Sequence, residues 1–193
     1  MPILDPSARE IHFKVVYTGP PLAGRTTNVQ HLYRHTPPDA RAALYSLVSE
    51  TGCTTTCAVL ESSAVHGLRA RFNLFTIPGP AHDPPTRQAV LRDVDGLVFV
   101  ADSQRDRADA NLESFAQLAA DLAVHGRRLA DVPLVLQYNK RDLPDILSLP
   151  ELDASLAASG RPRHEAVASR GEGVLATFES VCALLRDRTR AGA

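Results

Sequence analysis

Tryptophan is absent from this chain, methionine occurs once, and only three of its 193 residues are cysteine. Cys53, Cys57 and Cys182 have neither metal-ligand spacing nor the density of a disulfide framework, so free thiols in a reducing, cytoplasmic setting are expected. An excess of charge is missing too. With 21 basic against 22 acidic residues the net charge is -1, which argues against a polyanion-binding surface and against nucleic acid as a partner. No apolar run approaches the roughly eighteen residues that span a bilayer, and neither Met1-Pro2-Ile3 nor Arg190-Ala191-Gly192-Ala193 carries a leader, myristoylation or prenylation signal. Direct membrane insertion is therefore not expected. The seven histidines are scattered, with no H-E-x-x-H pattern and no Cys/His pairing of the kind a structural metal needs.

What is present is an alternation of apolar, β-rich runs with segments of helical period. Ile11 to Tyr17, Leu68 to Ile77, Gly96 to Ala101 and Val132 to Tyr138 read as strands. Asn111 to Val124 reads as a helix with Leu112, Phe115, Ala119 and Leu122 on its sheet-facing side, and Val174 to Arg188 as another with Leu175, Phe178, Cys182 and Leu185. Such alternation predicts an α/β fold: a mostly parallel sheet of six strands, flanked by about five helices, with ligand loops at the carboxyl ends of the strands. The proline patches Thr36-Pro37-Pro38 and Pro84-Pro85 mark loops, and the second is expected to block a helix. Residues 1–193 read as one domain, with residues 1–10 a short N-terminal extension.

Four motifs fall in order along this frame. Gly19-Pro20-Pro21-Leu22-Ala23-Gly24-Arg25-Thr26-Thr27 follows the first strand where a phosphate-binding loop belongs, and it departs from G-x-x-x-x-G-K-[ST] at Arg25. In such loops, backbone amides cradle phosphates, the lysine reaches the outer phosphates and the hydroxyl ligates Mg²⁺, here Thr26. Thr76-Ile77-Pro78-Gly79 stands where a D-x-x-G turn offers an acid to Mg²⁺ and a glycine amide to the terminal phosphate, with a threonine in the acid's place. Asn139-Lys140-Arg141-Asp142 matches N-K-x-D, whose aspartate accepts from the guanine N1–H and exocyclic amine, while the Asn and Lys brace the loop and the face of the base. Adenine presents the wrong pattern there. Last, in Ala166-Val167-Ala168 a backbone amide of Val167 or Ala168 could donate to the guanine O6. N-K-x-D alone is a short pattern. Its place about 115 residues beyond a phosphate-type turn, directly after a strand, makes coincidence a poor account.

These segments resemble the MglA group of small Ras-like GTPases of bacterial gliding and polarity systems. The likeness runs from Ser7-Ala8-Arg9-Glu10-Ile11 through Tyr17-Thr18-Gly19-Pro20, Thr26-Thr27-Asn28, Ser49-Glu50-Thr51, the T-x-P-G turn, Asp95-Gly96-Leu97-Val98-Phe99-Val100-Ala101-Asp102-Ser103, Gln137-Tyr138-Asn139-Lys140-Arg141-Asp142-Leu143-Pro144 and Glu165-Ala166-Val167-Ala168. It implies a Ras-like P-loop fold, GTP/GDP and Mg²⁺ as ligands, polarity or motility effectors, and a roadblock-domain MglB-type regulator. It also accounts for Thr76, since the group itself carries threonine there.

The departures all lie on the phosphoryl-transfer machinery. Arg25 stands for the phosphate-loop lysine, Cys53 for the family's intrinsic arginine finger and Pro80 for the catalytic glutamine. A guanidinium is wider than an ammonium and does not substitute as a point donor. A finger contributes about 10³ to 10⁵ in rate, which a cysteine cannot supply. Pro80 has no group to orient water. His82, two residues on, is a weak candidate for that task, with a solvated loop histidine as the alternative. Thr54 is either a Mg²⁺ or phosphate ligand or simply β-rich strand entry. Three readings follow: a guanine-nucleotide-binding regulator with weak or absent hydrolysis, an active GTPase whose partner supplies the missing groups, and a nucleotide-free pseudo-GTPase scaffold.

Overall fold

The computed structural model of the protein describes residues 2–48, 54–65, 67–77 and 84–191. In chain order its strands are β1 (Ile3–Asp5), β2 (Glu10–Thr18), β3 (Arg41–Val48), β4 (Thr54–Val65), β5 (Leu68–Thr76), β6 (Gly96–Asp102), β7 (Leu134–Asn139) and β8 (Arg163–Glu165). The helices are α1 (Arg25–His35), α2 (Pro84–Leu91), α3 (Ala108–Ala123), α4 (Leu149–Ser155) and α5 (Val174–Ala191). Among the described residues the α/β class and the five helices are as expected, but the sheet has eight strands where six were expected. Two of them, β1 and β8, span three residues each, too short for a periodic signal to register.

The sheet runs β3-β4-β5-β2-β6-β7-β8, with β1 pairing antiparallel beside the start of β2. Pairs β2/β5, β2/β6, β6/β7 and β7/β8 are parallel, while β3/β4 and β4/β5 are antiparallel. From β2 the chain passes through α1 to the edge strand β3 and returns by β4 to β5 on one side of β2, then continues through α2 to β6 on the other, so strand order reverses at the carboxyl end of β2. A crevice opens at such a point because the outgoing connections diverge to opposite faces.

Alternation along β2 sets the two layers. Ile11, Phe13, Val15 and Tyr17 join Phe72 and Leu74 of β5 and Val98 and Val100 of β6 in one core, closed by α1 and α5. Val16, Leu97, Phe99, Leu136 and Tyr138 face the other way, under α2, α3 and α4. Aromatic contacts stitch strand to strand and strand to helix: Phe13 stacks on its register partner Phe72 at 5.1 Å between centroids, and Phe178 of α5 meets Phe72 edge-on at 5.6 Å. Burial of both faces accounts for the nearly unbroken apolar sequence of β6, in which every residue is buried.

Three local expectations need correction. The buried face of α3 is Asn111, Ser114, Leu118, Asp121 and Leu122, and Leu112 is 43% exposed. That face is held by polar groups that hydropathy periodicity discounts. In α5, Val174 is buried and Leu175 is 58% exposed, while Phe178, Cys182 and Leu185 are buried as expected. Pro84-Pro85 opens α2 and does not block it. Proline is compatible with a first helical turn, where its missing N–H has no intrahelical partner to lose. Thr36-Pro37-Pro38 does end α1: Thr36 is extended, and a short 3-10 turn follows over Pro38–Ala40.

A buried ion pair fastens α2 to α3. Arg87 Nε donates to Asp121 Oδ2 at 2.9 Å, with side chains 4% and 3% exposed, and Gln117 donates to the other carboxylate oxygen at 3.0 Å. Asp121→Ala removes the buried carboxylate to which both Arg87 and Gln117 donate, and is expected to destabilise the protein by about 3–5 kcal/mol in urea unfolding.

Candidate functional site

The loops that follow β2, β6, β7 and β8 converge at the carboxyl edge of the sheet, beside Ile77 just beyond β5. After Thr18, the chain turns through Gly19 at φ 135° and Gly24 at φ 102° into α1. Neither glycine tolerates a side chain. A Cβ on Gly19 would lie 2.1 Å from the Val100 carbonyl oxygen, and one on Gly24 would lie 2.3 Å from Nδ2 of Asn139. Between them, Ala23 N–H closes a turn on the Pro20 carbonyl at 3.3 Å. Leu22 adopts φ 64° with its side chain 84% exposed.

Asn139 is the hinge pin of the site. Its Nδ2 donates to the Ala23 carbonyl at 2.7 Å, and its Oδ1 accepts from the Ala168 amide at 2.8 Å. One buried side chain thus holds the β2–α1 loop and the loop after β8 at fixed separation. A second, parallel tie runs beneath it. Gln137 Nε2 donates to Asn28 Oδ1 and to Thr177 Oγ1, both at 2.9 Å, Asn28 donates to the Gly24 carbonyl, and Thr177 donates to the Gly173 carbonyl. Sequence reasoning assigns no role to Asn28, Gln137 or Thr177. The available signal was polar residues at inward-facing helix and strand positions.

Arg25 opens α1, and its guanidinium donates through Nη1 to the Ile77 carbonyl just beyond β5. Burial holds its pKa down at about 10, and no acidic side chain pairs with it among the described residues. Thr26 and Thr27 follow, exposed, in the first turn of α1. Thr76 is buried, and its hydroxyl accepts from the Thr56 amide at 2.9 Å, which seats it in the sheet between β4 and β5. Thr54 starts β4 opposite Val48 and is exposed. Cys53, Gly79, Pro80 and His82 lie outside the described residues.

Beyond β7, Lys140 takes φ 66° and its Nζ donates to Asp102 Oδ2 at 2.6 Å. The Asp142 carboxylate is 23% exposed and meets Arg170 Nη2 at 3.4 Å, so it stands at the rim of the crevice, not in the core. The loop after β8 is hydrogen-bonded within the protein. Val167 N–H donates to the Glu172 carbonyl at 3.0 Å and Ala168 N–H to Asn139. Both amides that were candidates for a base oxygen already have partners within the protein, so an incoming acceptor would have to share or displace them.

No protein-family model matches the chain. Along its whole length, however, it is 40% identical over 194 aligned residues to the mutual gliding-motility protein MglA of Myxococcus xanthus (strain DK1622), with 100% of both chains covered. The chain belongs to the MglA family. Membership at that identity brings the Ras-like form of the α/β fold with it, and the sheet order and helix layers above are consistent with that form. Of the three expected departures, Arg25 alone lies among the described residues. Among the described residues no helix is long and apolar enough to cross a membrane.

Asn139→Asp preserves size and the acceptor toward Ala168 but sets a carboxylate against the Ala23 carbonyl in place of a donor. The loss of one buried hydrogen bond together with the repulsion is expected to cost about 2–4 kcal/mol, read as a lower urea midpoint at pH 7.

Proposed function

We propose that this chain is a guanine-nucleotide-binding, small-GTPase-like regulator of the polarity and motility type, with weak or absent intrinsic hydrolysis. The observation that carries the reading is the Asn139 pin, which holds a phosphate-type loop at fixed separation from the loop after β8, whose Arg170 meets the rim carboxylate of Asp142. A nucleotide needs those two halves at once, one for its phosphates and one for its base.

The residues fit an anionic ligand. Arg25 is a desolvated cation without an acidic partner among the described residues, and a phosphate would supply the missing charge. A guanidinium has five N–H donors. One is spent on the Ile77 carbonyl, which leaves the others for phosphate oxygens. The loop from Gly19 through Pro20, Pro21, Leu22, Ala23 and Gly24 to Thr27 would surround the phosphates, with Gly79 at the terminal one. Thr26 and Thr54 would hold Mg²⁺. Asp142 would read guanine, Asn139 would fix the loop and Lys140 would lie along the base, with Val167 and Ala168 walling the pocket on the far side. Mg²⁺ would neutralise charge between the phosphates.

Weak hydrolysis follows from side-chain chemistry. Cys53 offers no guanidinium for charge developing in the transition state, and Pro80 offers no side-chain group to orient a water. Output would come from partner binding, with a roadblock-domain MglB-type regulator and motility effectors as the partners. The relative's name ties that protein to gliding motility, and the same role is proposed for this chain.

Titration of nucleotide-stripped protein with fluorescent GDP, GTP and ATP, with and without Mg²⁺, tests the reading. Micromolar or tighter guanine-selective affinity is expected, and absence of binding to all three would leave a scaffold in its place. Asp142→Asn should weaken GDP by about 10²-fold or more and turn preference toward xanthine nucleotides, because two charge-assisted hydrogen bonds to the base are lost. Equal GDP affinity in variant and parent would contradict the base assignment. Arg25→Lys should tighten GTP by about tenfold or more, since an ammonium sits among loop amides as a point donor. No change there would shift the defect to Pro21 or to the segments beyond β3 and β5.

A further inference from the structure

We propose that Arg107 is a positioning residue of the β2–α1 loop: a strut that holds the Pro21–Leu22 peptide in place and is itself held by the buried carboxylate of Asp102. Neither residue has a role in the reading above. For its effect on binding the inference rests on that reading, but the strut stands without it.

The anchor comes first. Asp102 ends β6 fully buried, and its main chain is pinned on both sides by Asn111, whose Oδ1 accepts from the Asp102 amide at 2.9 Å and whose Nδ2 donates to the Asp102 carbonyl at 2.8 Å. One carboxylate oxygen accepts from the Gln104 amide at 3.1 Å and from Gln104 Nε2 at 3.2 Å. The other takes Lys140 Nζ at 2.6 Å and faces Arg107 Nε at 3.9 Å. A carboxylate so fixed is a rigid point in the sheet, and two cations from two different loops are drawn to it.

Arg107 then reaches outward. It closes the 3-10 turn Arg105–Arg107, and its Nη2 donates to the Pro21 carbonyl at 3.1 Å. The loop needs such a tether for three reasons visible in its sequence and shape. Pro21 has no N–H with which to fasten itself. Leu22 holds a left-handed conformation, φ 64°, which is unfavourable for a residue with a Cβ and persists only where surroundings impose it. The Leu22 side chain is 84% exposed, so packing does not impose it. The planar guanidinium can turn Nε to the carboxylate and Nη2 to the carbonyl together, whereas a lysine is a single point donor. Through Asp102 the strut also joins Lys140, so the phosphate-side and base-side loops share one buried anion.

The test uses the full chain, nucleotide-free, with backbone ¹⁵N relaxation on the parent, Arg107→Gln and Arg107→Lys. Unchanged β2 amide shifts establish that each variant is folded. Order parameters of Leu22, Ala23 and Gly24 are expected to fall from about 0.85 to below about 0.6 in both variants. A loop as rigid in Arg107→Gln as in the parent overturns the strut, and full rigidity in Arg107→Lys overturns its two-point geometry. Titration with GDP and GMP then reads the consequence. Arg107→Gln should weaken GDP about tenfold while changing GMP less than about threefold, and equal losses for both would overturn a role confined to the phosphate side. A parent that binds neither nucleotide refutes the functional reading, and the relaxation data still decide the strut.

Discussion

The two hydrogen bonds of one buried amide, Asn139 to Ala23 and Ala168 to Asn139, are the constraint on which the rest of the site depends. The β2–α1 loop and the loop after β8 are far apart in the chain and are tied together through Asn139 at the end of β7. A side chain with one donor and one acceptor aimed in opposite directions satisfies a carbonyl and an amide at once. No other residue type of that size has this pair of groups, and an aspartate would set oxygen against oxygen. The tight approach of Gly24 to the same amide follows, because any Cβ there would displace it.

Around this pin the protein lays further polar ties in parallel, and each one links the β2–α1 region to a different element. Asn28, Gln137 and Thr177 connect it to the start of α5. Arg25 connects α1 to the end of β5. Arg107 and Asp102 connect it to the end of β6. Redundant ties of this kind are costly to bury singly but reinforce one another when each group is satisfied. They hold in place a loop that carries two glycines at positive φ, a proline pair and a left-handed leucine, none of which would be stable as an isolated segment.

Much of this was legible beforehand. The phosphate-type loop, N-K-x-D and the run Gly96 to Asp102 are local patterns: the first two lie at strand ends as their motifs require, and the third is β6 itself. The burial of Val16 and Leu97 on one face and Val15 and Val98 on the other was implicit in alternation. Less legible were the amides of Val167 and Ala168. Their sequence position suits a base oxygen, but only folding shows that each already has an acceptor. The face of α3 was misjudged at Leu112 for a related reason: Asn111 and Asp121 are buried with partners from other elements, Asp102 and Arg87, which hydropathy does not count.

By itself, then, the amino-acid order determined the α/β class, the place of the loops at the strand ends, membership of the family and the side-chain chemistry available at Arg25, Cys53 and Pro80. These are properties of short segments, set by periodicity, glycine and proline placement, and side-chain type. Tertiary structure alone decided which polar groups have partners. Asn139 meets Ala23 across 116 residues, Arg107 meets Pro21 across 86 and Lys140 meets Asp102 across 38. Pairings at such separations carry no local signature, since they exist only once both β-sheet faces are covered and the loops have been brought to one edge.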